Sequence, residues 1–196
     1  MFSCKLGVRP FNYLCNLGFT VVELMVAIAL IGTLTALALP SYSDMVQKRK
    51  LTSSVQQMAA FINHGHTEAA RRNQFVTFSY RRASHTNWCV GATLGEDACV
   101  CTQTDDNEGD YCAIDGVKHV INNETFGNSE LVHEMGNGSF SFDPIRGILL
   151  ESDDAVVFQL HTDSRDYKIN LEVNESGNVR LCSKDDLHDL PGYEVC

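Results

Sequence analysis

Between Phe19 and Leu39 the chain carries one charged residue, Glu23, inside an otherwise apolar run that Pro40 closes. Those 21 residues make about 31 Å of helix at about 1.5 Å per residue, enough to cross a hydrocarbon core of about 30 Å. A carboxylate in such a run costs on the order of 2.5–3.5 kcal/mol on insertion scales, so Glu23 needs a functional reason. The segment before the run carries Lys5 and Arg9 and no acid. That bias places this end in the cytoplasm and the bulk of the chain across the membrane. A secretory signal peptide would differ, with a shorter apolar core and a cleavage site beyond it. An ordinary single-pass anchor would need neither Glu23 nor the Gly18-Phe19 junction.

Past Pro40 the helical pattern continues. Residues 41–72 contain no proline and a single glycine, Gly65. Leu51, Val55, Met58, Ile62 and Ala69 recur at helical spacing, with Gly65 completing the row, while Gln47, Lys48, Ser53, Gln57, Asn63 and Glu68 take the other side. The spacing predicts one helix from about Thr20 to about Arg72. Its first half lies in lipid and its second half is amphipathic, and Pro40 is a point where it can kink. After Asn73 the period changes. Strands are expected at 75–80, 88–92, 117–121, 139–142, 147–150, 155–161, 167–173 and 179–182, with turn residues between them; Tyr167, Ile169, Leu171 and Val173 alternate most clearly. Residues 93–116 read as a polar, acidic, cysteine-bearing loop. The fold class is α+β: a long N-terminal helix packed on a mostly antiparallel β-sheet domain. The divisions are a membrane helix over 19–40, an amphipathic continuation over 41–73 and a β-rich domain over 74–196.

Eight cysteines occur, Cys4 and Cys15 before the apolar run and Cys89, Cys99, Cys101, Cys112, Cys182 and Cys196 after it. The even number in the later part suits disulfides in an oxidising compartment, although six cysteines allow 15 pairings. Cys182 with Cys196 is the expected pair, since it pins the C-terminal tail. The other four then staple one loop-rich segment in an order left open, with Cys99 and Cys101 each pairing elsewhere. Zinc at Cys99, Cys101 and His85 ranks below disulfides in that setting. Asp105, Asp106, Glu108 and Asp110 form an oxygen-rich stretch that suits calcium, but it lacks EF-hand spacing and reads more simply as a solvated acidic loop. The seven histidines are scattered, and none lies beside a serine or cysteine as a base would. No enzymatic activity and no cofactor are expected.

From residue 83 onward there are 22 acidic side chains against six basic ones. Phosphate binding depends on neutralising positive charge, so this surface argues against nucleic acid. The basic clusters are Lys48-Arg49-Lys50, Arg71-Arg72 and Arg81-Arg82. The first lies just beyond the apolar run, where it can meet lipid phosphates or a neighbour's acids.

Gly18-Phe19-Thr20-Val21-Val22-Glu23-Leu24, with the apolar run behind it, resembles the processing site of type IV prepilins and type II secretion pseudopilins. Softer likenesses lie in Ala69-Arg71-Arg72, Phe75-Val76-Thr77-Phe78, residues 141–147 and residues 177–182; together they resemble the GspH/FimT type of minor pilin. The resemblance implies the pilin fold and a leader over residues 1–18. It also implies a prepilin peptidase that cuts between Gly18 and Phe19 and methylates the new Phe19 amine, and a role for Glu23 in assembly with other pilins or pseudopilins. The chain would then sit in the bacterial inner membrane, N-terminus cytoplasmic and globular domain periplasmic, before joining a type IV pilus or the pseudopilus of type II secretion. Some FimT-like pilins bind DNA through a Gly-Arg-x-Arg motif. Gly177-Asn178-Val179-Arg180 keeps one of those arginines, so Arg180, with Arg165 and Lys168 nearby, is a minor DNA-contact candidate.

Overall fold

The computed structural model describes residues 19–84, 86–126, 130–132, 137–150, 156–161, 167–183 and 190–196, with backbone alone for 37–40 and 130–132. The chain divides into two units, Met1–Tyr42 and Ser43–Cys196. One helix, α1, spans Val21–Arg72, so the expected helix forms with Thr20 just outside it. Arg72 is its last residue because Asn73 turns to φ 52°, a left-handed value that asparagine tolerates, and the Gln74 amide bonds back to the Ala69 carbonyl at 3.3 Å.

Among the described residues the second unit holds the rest of α1 and twelve strands: β1 (Val76–Ser84), β2 (Asn87–Leu94), β3 (Ala113–Ile114), β4 (Val117–Lys118), β5 (Val120–Asn122), β6 (Glu130–Val132), β7 (Gly138–Phe142), β8 (Leu149–Leu150), β9 (Val156–His161), β10 (Lys168–Val173), β11 (Val179–Ser183) and β12 (Glu194–Val195). They form two five-stranded sheets, ordered β5-β2-β1-β7-β8 and β12-β11-β10-β9-β6, with β3-β4 as a separate pair. Among the described residues these strands all pair antiparallel except β11 with β12.

The helix stripe closes over this β structure. Leu51, Val55, Met58, Ile62 and Ala69 are all within 1% of complete burial. Phe61 meets Phe78 edge-on at 5.5 Å, and Phe78 stacks on Phe140 at 5.1 Å. Gly65 must be glycine here, because a Cβ at this position would stand 2.3 Å from Phe78 Cζ. Tyr80 of the first sheet meets Phe158 of the second at 5.6 Å, so both sheets feed one apolar core with Leu160, Ile169, Leu171 and Val173. The other face of the first sheet is polar. Thr77 and Ser141 hydroxyls share a hydrogen bond at 2.8 Å, Thr77 donates to the Gly95 carbonyl at 2.6 Å, and Ser79 Oγ accepts from the Cys99 amide at 3.0 Å. Residues 95–99 thus supply main-chain partners that a buried polar face requires.

Several strand expectations shift. The segment 117–121 is two strands, interrupted at His119, whose amide turns to the Cys112 carbonyl while its own carbonyl takes the Ala92 amide. Gly147 is not in a strand: it has φ 67° and closes a turn in which Asp143 Oδ1 accepts from the Ile145 and Arg146 amides. His66 Nε2 lies 3.1 Å from the Gly147 carbonyl oxygen and fixes that turn against the helix. The acidic loop contains β3 and a bridge between Val100 and Tyr111. The strand expected from residue 155 has its first residue outside the described set.

Candidate functional site

Thr20 caps α1: its Oγ1 accepts from the Glu23 amide at 3.2 Å, and its carbonyl takes the Leu24 amide at 3.1 Å. A threonine with an acid three residues on is the pairing that satisfies free amides at a helix start, where a carboxylate also meets the positive end of the helix dipole. Glu23 is therefore placed in the first turn. The side chains around it have no cover. Phe19, Val21, Val22, Leu24, Met25, Val26, Ile28, Leu30, Ile31 and Leu34 are 53–82% exposed, an apolar surface that water does not tolerate on this scale. Two threonine hydroxyls in the segment are satisfied by the helix's own backbone: Thr33 Oγ1 donates to the Leu30 carbonyl and Thr35 Oγ1 to that of Ile31, both at 2.9 Å. The helix is long and apolar enough to cross a bilayer. Gly18 and the leader region 1–18 lie outside the described residues.

The cysteines pair as Cys89–Cys101, Cys99–Cys112 and Cys182–Cys196. The first two cross: each joins one of the near-neighbours Cys99 and Cys101 to a different strand-bearing segment, so the acidic loop is held at both ends. Within it Asn107 donates to the Asp105 and Asp106 carboxylates at 3.0 Å, which holds the Asp105 carboxyl below its ordinary range. Asp105, Asp106, Glu108 and Asp110 do not converge. Among the described residues one trio of potential metal ligands gathers, Glu172, Cys182 and Cys196, and its two sulfurs are bonded to each other. His85 lies outside the described residues.

Arg180 is exposed and flanked by acids, opposite Glu172 in the β10–β11 register and 3.8 Å from Glu194. Arg165, its expected companion, lies outside the described residues.

Two clusters escaped the sequence reading. Tyr167 donates to Asp44 Oδ1 at 2.7 Å, Lys48 pairs with Asp44 at 3.1 Å, and the Lys48 ammonium sits 4.6 Å over the Tyr167 ring. Tyr167 first, then Asp44, hold the Lys48 ammonium above its ordinary range. The four-residue spacing of Asp44 and Lys48 was a visible signal; the arrival of Tyr167 from 123 residues away was not. At the far end of α1, Glu68 takes hydrogen bonds from Arg71 and Arg72, and Arg72 also pairs with Asp115. Arg71 and Arg72, in that order, pull the Glu68 carboxyl down to about 2.

The family described as type II transport protein GspH matches residues 54–177, and the prokaryotic N-terminal methylation motif matches residues 15–39. Fimbrial protein Q of Moraxella bovis is 51% identical over 43 residues, which is 22% of this chain and 27% of that protein. A fimbrial protein of Pseudomonas aeruginosa is 42% identical over 43 residues, 22% of this chain and 28% of its own length. The type IV major pilin protein PilE1 of Neisseria gonorrhoeae is 38% identical over 56 residues, 24% of this chain and 34% of its own length. The chain therefore spans about a third of the length of these relatives or less. No solved structure matches.

Proposed function

We propose, from the premise that this chain belongs to the type II transport protein GspH family and is a pilin-like subunit of the GspH/FimT type, that it helps to initiate or cap a type IV pilus. The observation that carries this reading is the uncovered apolar start of α1, with Phe19 at its head and Glu23 in its first turn. Such a surface needs lipid before assembly and other helices afterwards. Prepilin peptidase would cut between Gly18 and Phe19, free an α-amine and methylate it, which preserves its charge. In a bundle of these helices Glu23 then faces the Phe19 ammonium of a neighbour. Opposite charges 4 Å apart attract by about 1 kcal/mol in water but about 4 kcal/mol at an effective dielectric of 20. An unpaired charge in that setting is costly, so the pair rewards correct register between subunits.

On this reading the chain inserts in the inner membrane with its N-terminus cytoplasmic and its β-rich domain periplasmic. It acts by assembly with other pilins rather than by catalysis, in the service of adhesion, motility or DNA uptake. The six later cysteines and the tail loop closed by Cys182–Cys196 favour the pilus. A second reading, a minor pseudopilin capping the type II secretion pseudopilus, is favoured by the GspH match over most of the β-rich domain, whereas the fimbrial likeness is confined to short stretches.

Mass spectrometry of the chain co-expressed with prepilin peptidase is expected to show a start at N-methylated Phe19; an intact start at Met1 overturns the reading. Glu23→Val should insert and be cut but join filaments poorly, and normal incorporation would remove the electrostatic account. Deletion of the gene should lower surface pilus number. Unchanged pili with blocked export of folded proteins would select the second reading.

A further inference from the structure

Nine residues past the apolar run, the outer side of α1 and the returning C-terminal segment form an open groove of about 320 Å³, lined by Lys48, Arg49, Thr52, Ser53, Gln56, Leu190 and Pro191. Its helix residues fall at successive turns on one side, next to the buried stripe of Leu51 and Val55. Leu190 is 2% exposed and belongs to the core, so one wall is anchored. Lys48 is fixed by Asp44 and the Tyr167 ring. Arg49 beside it is exposed and has no ion pair among the described residues. Thr52, Ser53 and Gln56 add neutral hydrogen-bond donors. Fixed cation, free guanidinium and hydroxyls around an open hollow are the set that binds a phosphate oxygen cluster.

The position sharpens the chemistry. In the orientation proposed above, Lys48, Arg49 and Lys50 follow the membrane helix on the exported side, where short flanking segments are ordinarily poor in Lys and Arg. Three consecutive cations there call for an anionic counterpart at the membrane surface. We infer that the groove lined by Lys48, Arg49, Thr52 and Gln56 is a binding site for the phosphate headgroup of an anionic phospholipid. It holds the subunit against the bilayer until assembly. The inference rests on the proposed membrane-inserted orientation.

The full chain in nanodiscs of phosphatidylcholine doped with phosphatidylglycerol tests it, with co-released lipid read by native mass spectrometry. Phosphatidylglycerol should be retained over phosphatidylcholine, and Arg49→Gln should lower that retention roughly five-fold. Lys50→Gln, outside the groove, should change it much less. Inorganic phosphate at 10 mM, roughly a physiological excess, separates the two sources of the ligand: a headgroup site keeps its lipid, whereas displacement would assign the groove to free phosphate and overturn the lipid assignment. Equal retention of both lipids overturns the inference, as does an equal loss from Lys50→Gln, which marks diffuse attraction. An unchanged melting temperature for Arg49→Gln excludes misfolding as the cause. The N-terminal mass of the same sample reports processing separately, so a Phe19 start without lipid selectivity defeats the groove and leaves the pilin reading intact.

Discussion

The two stretches of α1 obey the same backbone rule and opposite side-chain rules. Up to Leu34, the leucines and isoleucines of this stretch stand more than half exposed; after Pro40, Leu51, Val55, Met58 and Ile62 are sealed, and Lys50, Gln56 and Gln57 beside them face out. Nothing in helix propensity separates these stretches. What differs is what covers each: the later one packs on β-sheets, and the described side chains of the earlier one stand exposed. On the proposed reading, stability of the folded domain and competence for assembly are therefore carried by different residues of one helix.

Paired substitutions break or sharpen that contrast. Ile62→Ala should cost about 2–5 kcal/mol through the cavity it leaves, read as a fall in melting temperature of the full chain in detergent. Ile28→Ala, on the exposed stretch, should leave that temperature unchanged; a matching fall would mean the two stretches share one core. The glycines give the next largest effect. Gly65→Ala drives a methyl into Phe78 and should destabilise by about 1–3 kcal/mol despite the better helix propensity of alanine. Gly32, with nothing within 4 Å, should accept alanine with a gain of up to about 1 kcal/mol in helix stability. Gly32→Leu then asks what covers the segment. Blocked filament incorporation marks a seam where helices approach closely, as small residues permit, and normal incorporation marks a lipid-facing side.

The smallest effect is one of pH. The Glu68 carboxyl is held near 2 in the folded chain against an ordinary 4.5. Its contribution to stability is present above about 4.5 and drains away as pH falls towards 2. Glu68→Gln should flatten the acid limb of a stability profile without moving the neutral plateau's shape, and an unchanged acid limb would show that the pairing with Arg71 and Arg72 does not act in solution.

Periodicity revealed the helix because its evidence is local. Leu51, Val55, Met58, Ile62, Gly65 and Ala69 fall on one line whatever the rest of the chain does, and the alternation of Ile169, Leu171 and Val173 exposes β10 in the same way. The cystine ladder was less readable. Pairing Cys99 with Cys112 rather than Cys89 depends on how residues 95–112 fold back over the polar face of the first sheet, where the Cys99 amide meets Ser79, and no local period records that. β12 was invisible for a related reason: two residues, Glu194 and Val195, form a strand only because the tail is returned alongside β11. At the candidate site, Glu23 stood out by its cost in an apolar run. The groove beside Arg49 did not, since its far wall comes from Leu190 and Pro191.

The crossed bridges leave a mark on a position that carries no side chain. Gly91 of β2 lies beneath them, and a Cβ there would stand 2.3 Å from Cys112 Sγ and 2.9 Å from its Cβ. The sulfur has in effect taken the volume that residue 91 would own. A lineage that acquired this bridge had to surrender every methyl at that site, and one that lost the bridge regained the freedom to fill it. Across natural variants, Cys112 and any side chain at 91 should therefore exclude one another, a covariation set by crowding rather than by charge or catalysis.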